Sequence, residues 1–115
     1  MAKSLSATTL AICLAIVFTV TPAAAEDFQS VPGHVVQVNP MNFPSQIVFQ
    51  MDAAVGNCPA GAALWTAIAA NLDQYTLWYS TLLAAQLSGE VLHVSGFNGS
   101  NGNNCIIDYF YLTKS

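Results

Sequence analysis

The chain has 115 residues, of which 54% are hydrophobic and only 7% charged. Apart from Lys3 near the start its only basic side chain is Lys114, against six acidic ones, so the chain beyond residue 25 carries a net charge of minus five. Nucleic acid is all but excluded as a partner, because phosphate affinity comes from clustered Lys and Arg, and anionic lipid surfaces are disfavoured for the same reason.

Lys3 is followed by an apolar run from Leu10 to Val20 and then by Thr-Pro-Ala-Ala-Ala, with Ala23 and Ala25 in the small-x-small pattern of a signal peptidase site. Residues 1–25 read as a secretory signal cut before Glu26, which makes the protein periplasmic or secreted in a bacterium. The run is too short to span a bilayer and no longer one follows, so no membrane association is expected. Residues 26–115 are then enough for one small domain, in a size range where a core alone is often marginal. Cys58 and Cys105 remain in that domain, and an even pair in a small exported protein reads as a disulfide. A redox-active pair would want C-x-x-C spacing.

Glu26 to Pro32 reads as a polar N-terminal arm. His34 to Val38 is β-branched and partly alternating, a first strand that stops at the prolines and asparagines of residues 39–44. Gln46 to Asp52 alternates as a second strand, and Ala53 to Gly61 is a loop pinned by the disulfide. Ala62 to Ala70 admits two readings, a backward extension of the following helix or a strand and a break. The boundaries at Pro59 and Gly61, and the cap at Asn71, favour the strand.

Asn71 to Gly89 is the most strongly marked helix. Asn71 is a good N-cap with Gln74 at capping-box spacing, Asp73 sits in the first turn, and Gly89 suits a left-handed C-terminal stop. Its periodicity predicts a core stripe of Leu72, Tyr75, Tyr79, Leu82, Leu83 and Leu87. Glu90 to Ser95 is a fourth strand, Phe97 to Asn104 a long turn, and Cys105 to Leu112 a last strand that is apolar on both faces apart from Asp108. Three strands, a helix and two strands match an OB-like, five-stranded Greek-key barrel of the α+β, mainly β class, with the helix between strands three and four. A strand-rich α+β sandwich is the alternative.

Leu64-Trp65-Thr66-Ala67, followed by Tyr79 to Val94 with its Leu-Leu-x-Ala helix and Ser-Gly stop, and then a cysteine before the last strand, resembles small exported bacterial proteins. The same pattern is similar to the receptor-binding B subunit of subtilase-type pentameric toxins over Cys58 to Leu112. The resemblance implies an OB fold, a glycan ligand, sialylated in that family and neutral or sialylated here, and a homo-oligomer, a pentamer if toxin-like. No binding residue of that family maps onto His34 to Asp52, so none is carried over.

Catalysis finds little in the chain. His34 and His93 lie on different expected strands without metal-ligand spacing, the carboxylates are scattered, and no nucleophile elbow or phosphate loop occurs, so neither an enzyme nor a cofactor is expected. Binding has better candidates. The loops joining strands one to two and four to five are expected to lie together at a ligand face and carry Asn39, Asn42, Phe43, Phe97, Asn98, Asn101, Asn103 and Asn104. Amides pair with sugar hydroxyls and aromatic rings cover apolar sugar faces, although Asn and Gly also simply make turns. Leu77 and Trp78, at the edge of the helix stripe, are candidate interface residues. The expected function is an exported, non-catalytic, glycan- or receptor-binding domain; a periplasmic structural or inhibitory protein acting through a protein interface is the alternative.

Overall fold

The computed structural model describes residues 25–114, and the expected signal lies almost wholly outside them. The described elements run β1 (Phe28–Gly33), β2 (Val35–Asn39), β3 (Val48–Met51), β4 (Leu64–Thr66), α1 (Leu72–Ser88), β5 (Val91–Phe97) and β6 (Cys105–Thr113). The strands form one sheet in the order β1-β5-β6-β4-β3-β2. Neighbours are antiparallel except β4 and β6, which are parallel.

Two expectations need correction. The sheet has six strands where five were expected, and it is not closed, since no ladder joins β1 to β2 among the described residues. The extra strand is the segment expected to be a polar arm. Its composition is weak for a strand, but tertiary pairing supplies what propensity does not: Phe28 is buried, the Asp27 N–H donates to the Gly96 carbonyl at 2.9 Å, and β1 pairs along β5 from Phe28 to Gly33. Only His34 separates β1 from β2, so consecutive strands occupy the two outer edges of the sheet.

Alternation along the strands builds the core. Ile47, Phe49, Met51, Leu64, Thr66, Leu92, Val94, Cys105 and Ile107 are buried on one face. Thr66 is polar and satisfied, because its hydroxyl oxygen accepts the Ile47 N–H at 3.0 Å. The disulfide joins Cys58 in the β3–β4 loop to Cys105 at the start of β6, both buried.

Helix α1 closes over this face. Asn71 Oδ1 accepts the Gln74 N–H at 2.8 Å, and Gln74 Oε1 reaches back to the Ala70 N–H at 2.6 Å, a capping exchange displaced by one residue. Gly89 ends the helix at φ 72°, where a side chain would be strained. The buried line is Tyr75, Leu82 and Ala85, with Trp78 and Tyr79 packed beside it. That corrects the expected stripe at both ends, since Leu72 and Leu87 are 54% and 85% exposed.

A candidate recognition face

The strand pairings place one row of side chains across the opposite, outer face. Asn39 pairs with Val48, Val48 with Trp65, Trp65 with Ile106 and Ile106 with Phe97. Directly paired residues project to the same side of a sheet. Their strand neighbours Phe49, Leu64, Thr66, Cys105 and Ile107 point into the core, so the row points outward. Trp65, Ile106 and Phe97 are partly exposed, Asn39 is exposed, and Val48 between Asn39 and Trp65 is nearly covered. The Trp65 indole is held in place, for its Nε1–H donates to Asn104 Oδ1 at 3.0 Å. Asn104 itself takes φ 58°, a left-handed conformation that asparagine tolerates better than most residues.

A second aromatic group lies farther along β5 and β6 on the same face. His93 pairs with Tyr111 and Ser95 with Tyr109. The His93 and Tyr111 rings stack at 4.8 Å with 4° between their planes, and Tyr109 leans on Tyr111 at 5.7 Å. The Tyr111 hydroxyl donates to Ser30 Oγ at 3.3 Å, and His93 Nε2 lies 2.9 Å from Thr113 Oγ1. Between the two groups the register slips: Ser95 opposes Tyr109 and Gly96 opposes Ile107, which leaves Asp108 as an unpaired bulge residue. A side chain at position 96 would strike the Ile106 carbonyl at 1.9 Å, so the close strand approach here requires glycine. Glu26 shares a hydrogen bond with Asp108, and that bond raises the Glu26 carboxyl above its ordinary value, with desolvation and the Asp108 charge adding to it.

The structure distributes the loop residues expected to bind. The segment after Asn39 packs toward the C-terminal end of β4 and the helix start, where the Ala69 N–H donates to the Ser45 carbonyl at 2.8 Å. The segment before Cys105 meets the other end of β4, where Leu64 pairs with Cys105. The two loops therefore do not converge on one point but flank the Trp65 row, with Asn39 at one side and Asn104 at the other. Phe43 leaves this face altogether and sets its ring edge-on to Tyr75 at 5.1 Å. Asn42 makes a turn, its carbonyl accepting the Ser45 N–H at 2.7 Å. Asn98 is a structural tie: its Oδ1 accepts the Asn57 N–H and its own N–H donates to Asp27, both at 2.8 Å. Asn101 and Asn103 are exposed. Phe97 belongs to the row. Leu77 is exposed, whereas Trp78 is partly buried and packs on Phe110 at 6.1 Å.

Trp65, Tyr109 and Tyr111 were not among the sequence candidates. The signal for them was alternation: Trp65 stands between two inward residues, and Tyr109 and Tyr111 lie two apart on one strand.

The remaining polar pair is His34 with Asp52. The Asp52 carboxylate accepts the His34 backbone N–H at 2.7 Å and lies 3.0 Å from His34 Nδ1, contacts that hold its carboxyl below the ordinary range. Among the described residues no three His, Cys, Asp or Glu side chains gather into a metal-binding group, and no cavity forms, so the candidate site is an open face. Set against models of known protein families, curated proteins and solved structures, the chain matches none.

Proposed function

We propose that the protein is an exported, non-catalytic binding domain that holds a neutral glycan against the outer face of the sheet. The observation that carries this reading is the Trp65 row, an indole fixed by the Asn104 amide and flanked by Val48 and Ile106, with Asn39 and Phe97 at the two ends of the row. Aromatic faces cover the C–H faces of sugars and amides bond their hydroxyls, while the shortage of cations argues against a sialylated or phosphorylated ligand. We further infer an OB-like Greek-key arrangement in which the first strand breaks at His34 and its two halves serve both sheet edges. The parallel β4–β6 pair and the β5-β6-β4-β3 order support that arrangement. The likeness to pentameric toxin B subunits supports the OB-like arrangement, while the neutral ligand proposed here departs from the sialylated glycans of that family.

The test is a glycan array followed by titration of the parent protein and Trp65→Ala. Binding weakened roughly ten- to a hundredfold by the substitution supports the reading. Glycan binding unaffected by Trp65→Ala, or no glycan bound, overturns it.

A second reading rests on Phe43, Ile68, Leu72 and Leu77, large apolar side chains left exposed on the β2–β3 loop, the β4–α1 connection and the helix. Such residues suit a protein interface, and solution mass by light scattering distinguishes a self-associating chain from a monomer.

A further inference from the structure

The two aromatic groups on the outer face differ in what they leave free. His93 and Tyr111 cover each other's ring faces and serve as a buttress, whereas Tyr109, propped on Tyr111, is 58% exposed. Trp65 and Phe97 lie at the level of Ile106, three residues before Tyr109 on β6. Because of the bulge the two levels are only two residues apart on β5, from Phe97 to Ser95, so at roughly 3.3 Å per strand residue they are about 7 Å apart; with Trp65 one strand across, it and Tyr109 are about 8 Å apart, farther than the width of one sugar ring. The bulge makes Asp108 and Tyr109 consecutive exposed residues, so the Asp108 carboxylate, one side of which meets the Glu26 carboxyl, stands beside the free ring and between the two levels. Carboxylate oxygens accept strongly from hydroxyl groups. The strands that carry this face hold no Lys or Arg.

We propose that the face binds an extended neutral oligosaccharide, one sugar stacked on Trp65 and another on Tyr109, with Asp108 accepting hydroxyl hydrogen bonds between them. The proposal rests on the glycan reading of the Trp65 row and adds the length of the ligand and a second subsite. Tyr109 contributes a ring face, and its hydroxyl is dispensable.

The experiment is calorimetric titration of oxidised protein, purified from cells expressing the full chain, with oligomers derived from cellulose, starch and chitin, from one to six sugars long. In the series that binds, affinity rises about tenfold from the shortest binding oligomer to those that span both rings, the size of one aromatic stacking contact. Tyr109→Ala removes that increment and leaves the shortest oligomer's affinity unchanged, while Tyr109→Phe keeps it. Affinity that does not depend on length, or an increment that survives in Tyr109→Ala, overturns the extended-ligand proposal while the Trp65 glycan site stands. Failure of every oligomer to bind overturns both. The length series on the unaltered protein decides the matter whether or not the variants fold.

Discussion

Breaking the disulfide should remove a large part of the protein's stability. Cys58 and Cys105 are 47 positions apart, and closing a loop of that size reduces the entropy of the unfolded chain by an amount worth about 4 kcal/mol at room temperature. A domain of about 90 residues is ordinarily stable by roughly 5–13 kcal/mol, so the loss is a third or more of the total. Other ties on the β3–β4 loop are Asp52 to His34 at its start, the buried Val55 side chain, and Asn57 to Asn98 and Gly99 at the exposed surface; the Val55–Cys58 bridge is internal to it. With an unfolding entropy of about 2.1 cal/mol/K per residue, some 4 kcal/mol corresponds to a fall in Tm of about 20 °C. The variant to measure is Cys58→Ala with Cys105→Ala, which leaves no free thiol to pair elsewhere, compared with the oxidised parent by scanning calorimetry at one pH. A fall of less than about 5 °C would refute the reasoning, because it would mean that the loop is held by contacts as strong as the bond or that the unfolded chain is already constrained.

Two further outcomes follow from single side chains. The Tyr75 hydroxyl is buried without a hydrogen-bond partner among the described residues, and burial pushes its ionisation up, so Tyr75→Phe should be neutral or stabilise by up to about 1 kcal/mol in chemical denaturation. A loss beyond about 1 kcal/mol would show that the hydroxyl is bonded after all. Asp52 has a folded value held below the ordinary one, chiefly by the His34 backbone N–H. Its ionised form therefore stabilises the fold above the unfolded value of about 3.9, and that contribution is lost as pH falls through the lowered folded value. Asp52→Asn should flatten that part of the acid limb of the stability curve; identical acid limbs in variant and parent would contradict it.

The helix shows how much local chemistry can say. Asn71, Gln74 and Gly89 mark its ends because caps are made by near neighbours in the chain. Its buried face was only half legible, since Leu72 and Leu87 have the right spacing and hydropathy but lie outside the line where the helix meets the sheet. Periodicity specifies a stripe, and packing against a particular partner selects its centre. The β1 strand was hidden for a related reason. Its residues have little strand propensity of their own, and their pairing with β5 spans more than sixty positions from Val31 to Val94.

By itself the sequence determined the mainly β composition with one capped helix, the pairing of two cysteines, and a surface nearly free of positive charge, all of which depend on residue type or on neighbours within a few positions. Only the tertiary structure decided that six strands form an open sheet and that Trp65, Phe97 and Tyr109 share its outer face. Cross-strand register brings together residues from distant parts of the chain, and nothing in local propensity encodes which of them become neighbours.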